Sequence, residues 1–138
     1  MGQFEFGNKP GNLLPPGVSA FNRLFRDYKI KAKKRNLPFE LSKEYFEKIT
    51  KYNCYYCGKE PSQVRYTHVH HGVYSIPYTY NGIDRIDSSK GYTEDNVVPC
   101  CGRCNEGKMS QTKEDFLYWI KRVYEHSLTN TKECATIE

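Results

Sequence analysis

Cys54-Tyr55-Tyr56-Cys57 and Cys101-Gly102-Arg103-Cys104, with Asn81-Gly82-Ile83-Asp84-Arg85-Ile86-Asp87 and Asp95-Asn96-Val97-Val98-Pro99-Cys100 between them, decide how this chain folds. Each Cys-x-x-Cys knuckle offers two thiolates, and two knuckles complete a tetrahedral set suited to zinc, which accepts sulfur without redox chemistry. Four protein ligands leave no position for water, so the expected zinc is structural. Zinc-finger peptides gain about 10–16 kcal/mol from such a site, and here that binding free energy should become folding free energy. Roughly forty residues separate the knuckles, more than the ~15–20 of a compact zinc ribbon. Something is built between them, and the function is expected there. Cys100 falls outside the knuckle register and Cys134 sits near the C-terminal end; both are read as incidental.

Upstream, residues 1–16 carry Gly2, Gly7, Pro10, Gly11, Pro15 and Pro16, a composition that punctuates rather than folds, and are expected to form a flexible lead-in. Residues 17–52 read as a helical N-terminal extension. In it Phe21, Leu24, Phe25, Tyr28 and Ala32 recur at helical spacing, with Arg23, Arg26, Lys29, Lys33 and Lys34 in other positions. The run Lys31-Ala32-Lys33-Lys34-Arg35 reads equally as a solvated helix end that complements the macrodipole and as a set of phosphate contacts. Leu37-Pro38 ends that helix, and Ser42 caps a short one carrying Phe46 and Ile49.

Between Cys57 and Ile83 a Tyr-rich, His-bearing stretch predicts a loop and hairpin, with Asn81-Gly82 as a turn. Downstream, Thr112-Lys113-Glu114-Asp115 is a capping-box pattern ahead of a second amphipathic helix. Its stripe of Phe116, Leu117, Ile120, Val123 and Tyr124, together with Trp119, is expected to face the core. Residues 53–126 thus form the zinc-stapled core with its C-terminal helix, and 127–138 a polar tail.

At 138 residues the chain has the length of one domain. No apolar run approaches the ~20 residues that cross a bilayer, and residues 1–16 lack the apolar stretch of a signal peptide. The expected setting is the reducing cytoplasm, where paired cysteines point to metal rather than to disulfides. The net charge of +5 suits a polyanionic partner without specifying one.

The segments Asn81–Asp87, Lys90-Gly91-Tyr92, Asp95–Cys101 and Cys104-Asn105 with Lys108 together resemble the zinc-bearing ββα-metal core of HNH endonucleases of the kind found in phage genomes. The resemblance spans about Cys54 to Lys108. It implies an α+β fold, a zinc-stapled ββα core with flanking amphipathic helices, and divalent-metal-dependent hydrolysis of phosphodiester bonds in DNA. By resemblance Asp84 and Asn105 would hold a catalytic Mg²⁺ or Mn²⁺, oxygen donors being suited to such ions. Asn96 would brace the loop, and Arg103 and Lys108 would meet the nucleic-acid backbone.

The chain departs from the family at Arg85, where a general-base histidine is usual. Arginine stays protonated and cannot take a proton from water, although it can grip a phosphate. His68, His70 and His71 are the candidate bases, with Asp87 more suited to bonding the loop backbone. The alternative reading is a nucleic-acid-binding module that kept the zinc fold and lost catalysis. Tyr55, Tyr56, Tyr74, Tyr78 and Tyr80 could stack on bases, although aromatic residues around a small zinc core more often supply hydrophobic mass, and they are left unassigned.

Overall fold

The computed structural model describes residues 17–66 and 76–133. Its elements run α1 (Val18–Lys34), α2 (Lys43–Thr50), β1 (Gln63–Arg65), β2 (Tyr78–Tyr80), β3 (Gly82–Arg85), β4 (Val97–Cys100), α3 (Gly102–Lys108) and α4 (Lys113–Glu133). β1 and β2 pair antiparallel, as do β3 and β4, with Asp84 opposite Val98 and Arg85 opposite Val97. In succession β3, β4 and α3 make the ββα unit of an α+β fold.

The core is largely aromatic. Phe46 of α2 is fully buried, and its ring centroid lies 5.2 Å from Tyr28, 5.3 Å from Phe25 and 6.1 Å from Phe21 on α1, within the range of favourable aromatic pairing. α2 starts where Ser42 accepts the Tyr45 amide at 3.1 Å, and Pro38 stands just beyond the end of α1. The 38–40 segment then runs beside Tyr92: the Tyr92 amide donates to the Pro38 carbonyl and the Glu40 amide to the Tyr92 carbonyl, both at 2.9 Å. Gly91 lies so close to Pro38 that a Cβ there would overlap the proline ring. This strap ties the loop after β3 to the N-terminal helices.

Three expectations are corrected. Asn81-Gly82 is not a hairpin turn, because β2 and β3 belong to different sheets. Asn81 is fully buried, and its amide donates to the Tyr52 and Lys59 carbonyls at 3.0 and 3.1 Å. Gly82 is glycine because a Cβ would come within 2.7 Å of the Tyr28 hydroxyl. Secondly, α4 continues through Ser127 to Glu133, since a helix once nucleated propagates through polar residues at little cost.

Thirdly, the α4 stripe does not face the core. Phe116 is 2% exposed, whereas Leu117, Trp119, Ile120, Val123 and Tyr124 are 41–63% exposed. Phe116 packs on Tyr56 of the first knuckle with ring centroids 5.4 Å apart. Beyond that anchor the apolar face is open. Helical periodicity specifies which residues share a face, not what covers it.

Candidate active site

The first knuckle turns through Gly58, whose φ of 73° lies in the left-handed region that glycine adopts without cost. It is fixed to β4 by the Tyr55 amide, which donates to the Pro99 carbonyl at 2.8 Å. The second knuckle opens α3, with the Cys101 sulfur capping the helix by accepting the Cys104 amide. The Sγ atoms of Cys54, Cys57, Cys101 and Cys104 all lie within 4.8 Å of one another. Cys57 and Cys101 Sγ are 3.7 Å apart, close to the edge of about 3.8 Å of a tetrahedron with ~2.3 Å zinc–sulfur bonds. The donor set therefore fits a structural zinc. Burial alone would push the Cys54 thiol up, but the backbone amides of Cys101, Cys57 and Tyr56 outweigh it and bring it down to about 6, whereas burial and the neighbouring thiols push Cys104 up, so the four sulfurs share charge that a bound cation would neutralise. Cys100 stays outside the cluster, buried beside it.

Asp84, near the end of β3, is 6% exposed and already has two partners. Its Oδ2 accepts the Tyr56 hydroxyl at 2.8 Å and lies 3.1 Å from Lys108 Nζ. That ammonium also donates to the Arg85 carbonyl at 3.1 Å. Lys108 is fully buried, which corrects the expectation that it would meet a nucleic-acid backbone. A buried ammonium needs a counter-charge and acceptors, and Asp84 with the Arg85 carbonyl supplies both. Burial first, and then the Asp84 carboxylate, push the Tyr56 hydroxyl well above the usual tyrosine range, so it remains a donor to Asp84.

Arg85 is partly committed elsewhere. Its Nη1 donates to the Ser88 and Lys90 carbonyls at 2.6 and 2.8 Å, and its guanidinium lies 5.2 Å from the centre of the Tyr92 ring. Asn96 is buried inside the same loop: its Oδ1 accepts the Asp87 amide at 3.0 Å, and its Nδ2 donates to the Asp87 and Gly91 carbonyls at 3.0 and 2.9 Å. The Asp87 carboxylate accepts the Ser89 amide and hydroxyl. Those two bonds, with Lys90 beside them, hold Asp87 below the usual carboxylate range.

Asp84, Arg85 and Asn105 line one cleft of about 460 Å³, together with Lys31, Arg35 and Glu106. Asn105 is exposed on α3. With the Asp84 charge offset by Lys108, the cations Lys31, Arg35 and Arg85 outnumber Glu106, so the cleft suits a phosphate. It also brings together two oxygen donors of the kind hard divalent cations take. A carboxylate has about four lone-pair sites, so the bonds from Tyr56 and Lys108 leave Asp84 able to ligate on the cleft side. Arg103 is exposed on α3 but is not among the cleft-lining residues. His68, His70 and His71 lie outside the described residues.

Neither the hydrogen bond from Tyr56 to Asp84 nor the burial of Lys108 was anticipated from the sequence. The signal for Tyr56 was its place inside a knuckle that must pack beside β4. For Lys108 no such signal exists, since its spacing on α3 gives a direction and not a depth.

No family model matches the chain. Over 90 residues it is 38% identical to an uncharacterized protein of Acanthamoeba polyphaga mimivirus, a match that covers 65% of this chain and 14% of the relative. The chain thus spans only a small part of that relative's length. Among solved structures it is similar to the rare-cutting HNH restriction endonuclease PacI, with a TM-score of 0.53 and 16% identity over 91% of this chain and 88% of PacI. Backbone and four-cysteine cluster together show an α+β chain with the fold of an HNH nuclease.

Proposed function

We propose that the chain is a divalent-metal-dependent endonuclease that hydrolyses phosphodiester bonds in DNA. The observation that carries this reading is the meeting of Asp84, Arg85 and Asn105 in one cation-rimmed cleft against the ββα unit. Asp84 and Asn105 would hold Mg²⁺ or Mn²⁺. Such a cation, when bound, polarises a phosphoryl oxygen and stabilises the leaving oxygen.

Lys31 and Arg35 receive the phosphate, while Arg103 contacts the backbone from the first turn of α3, which positions the strand without reading its sequence. Arg85 braces the loop through Nη1 and turns its remaining N–H groups to the phosphate. Asn96 holds that loop rigid. Tyr56 orients the Asp84 carboxylate. A histidine of the His68, His70 and His71 group takes the proton from the attacking water, since Arg85 cannot. DNA as the partner is supported by the likeness to a restriction endonuclease. A cytoplasmic setting is supported by the four thiolates that zinc requires in reduced form.

One observation favours the second reading, a zinc-stabilised binding module without catalysis: the Asp84 carboxylate and the Arg85 Nη1 already have protein partners. The two readings separate on supercoiled plasmid incubated with zinc-loaded protein, with and without added Mg²⁺ or Mn²⁺. The nuclease reading expects nicked or linear product only with the added cation, reduced about a hundredfold or more in Asp84→Ala. Binding that weakens with salt, with no product on duplex or single-stranded DNA, would select the module.

A further inference from the structure

The open face of α4 is too regular to be incidental surface. Leu117, Ile120, Tyr124 and Leu128 follow one another at three-, four- and four-residue steps along one side of the helix, with Val123 at its edge. All five are 41–63% exposed. Since a buried aromatic side chain covers ~150–250 Å², together they leave on the order of 500 Å² of apolar side chain open. That lies within the ~300–600 Å² of the largest patch on a typical monomer, a size often tied to function. It is smaller than the ~800 Å² per partner of a standard interface, so the charged residues beside it must add to the contact.

We propose that α4 packs antiparallel against α4 of a second copy of this chain, across a twofold axis at Val123. Lys121 and Glu125 stand symmetrically about that axis, and a helix rise of about 1.5 Å per residue then sets the height of every other side chain. With the axis at Val123, the seam reads Leu117, Leu128 of the second copy, Ile120, Tyr124 of the second copy, then Tyr124, Ile120 of the second copy, Leu128 and Leu117 of the second copy. Each large side chain except the terminal Leu117 of either copy falls between two from the other helix, as interdigitated helix packing requires.

The charges agree with the same register. A twofold axis perpendicular to the helices brings an edge of α4 against the same edge of its copy. That edge carries Lys121 and Glu125, which lie 3.7 Å apart within one helix and are both largely exposed. In the antiparallel register Lys121 comes level with Glu125 of the second copy, and symmetry makes the pair twice. An edge with both signs, spaced symmetrically about Val123, complements itself better than it complements a uniformly charged partner. The antiparallel arrangement also keeps the two bodies at opposite ends of the helix pair, since α4 joins its own body at Phe116. The inference is independent of any catalytic activity.

The test is sedimentation equilibrium of the zinc-loaded full chain at rising concentration. The expected result is twice the chain mass, falling to the single-chain mass in the double variant Leu117→Glu with Tyr124→Glu. Both positions lie outside the core, so zinc content and circular dichroism should stay unchanged in that variant. Lys121→Glu alone or Glu125→Lys alone should weaken association about tenfold, and the two combined should restore it. A single-chain mass at every concentration overturns the proposal. So does a dimer that survives the Leu117 and Tyr124 substitutions, or a charge exchange that fails to restore association.

Discussion

Lys108 shows how one buried charge can govern a site. With the ammonium 0% and the Asp84 carboxylate 6% exposed, neither partner can turn to water if the other is removed. Lys108→Met should therefore lose about 3–5 kcal/mol, the usual cost of stranding one member of a buried ion pair. Adding Asp84→Asn should return much of that loss, because the amide carries no charge to strand. Urea unfolding of the two single variants and the double variant measures this coupling, and additive effects would show that the pair is not energetically linked. Asp84 itself was legible in the sequence through the motif around it. Its partners were not, because a lysine three residues past Asn105 on a short helix reads as surface charge until the helix has something to pack against.

At the scale of elements, the caps were the most legible features. Ser42 and Thr112 both accept the amide three residues on, as their positions ahead of apolar repeats predict. The aromatic residues of α1 and α2 were legible as faces, and the structure shows that they face each other. Phe46 is the hub of that contact, so Phe46→Ala should cost about 3–5 kcal/mol and lower the thermal midpoint. A loss below 1 kcal/mol would mean that the neighbouring rings collapse into the space. α4 was legible as an amphipathic helix, but its burial was not, because a 3.6-residue period is the same whether the face meets the chain's own core or another molecule. Asn81-Gly82 misled for a related reason: the side chain that bonds local backbone in a turn bonds Tyr52 and Lys59 here.

Across the whole molecule, the four-cysteine cluster joins the segment before β1 to the segment after β4, and so holds the ββα unit in register. Stripping zinc from the protein should abolish the cooperative thermal transition and release the Phe116 contact with the first knuckle. Circular dichroism and amide exchange before and after a zinc-selective chelator measure this, and a metal-free protein with native exchange protection would contradict it. The overall architecture was legible because knuckle spacing and the motif between the knuckles constrain each other. The contribution of the N-terminal helices to the cleft was not, because Lys31 and Arg35 look the same in sequence whether they face water or a neighbouring strand.

That contribution bears on what could be moved from one protein to another. Tyr28 accepts the Ile83 amide at 3.2 Å, next to Asp84, and two of the three cations of the cleft come from α1 and the residue that caps its C-terminus. A fragment cut to the residues between and around the knuckles would keep its zinc ligands and its carboxylate, but would lose most of what draws a phosphate to them. The smallest transferable unit is therefore not the motif that the eye finds in the sequence. It is the motif together with a helix that begins more than thirty residues earlier, and recombination that separated the two would pass on a stapled fold with an idle cleft.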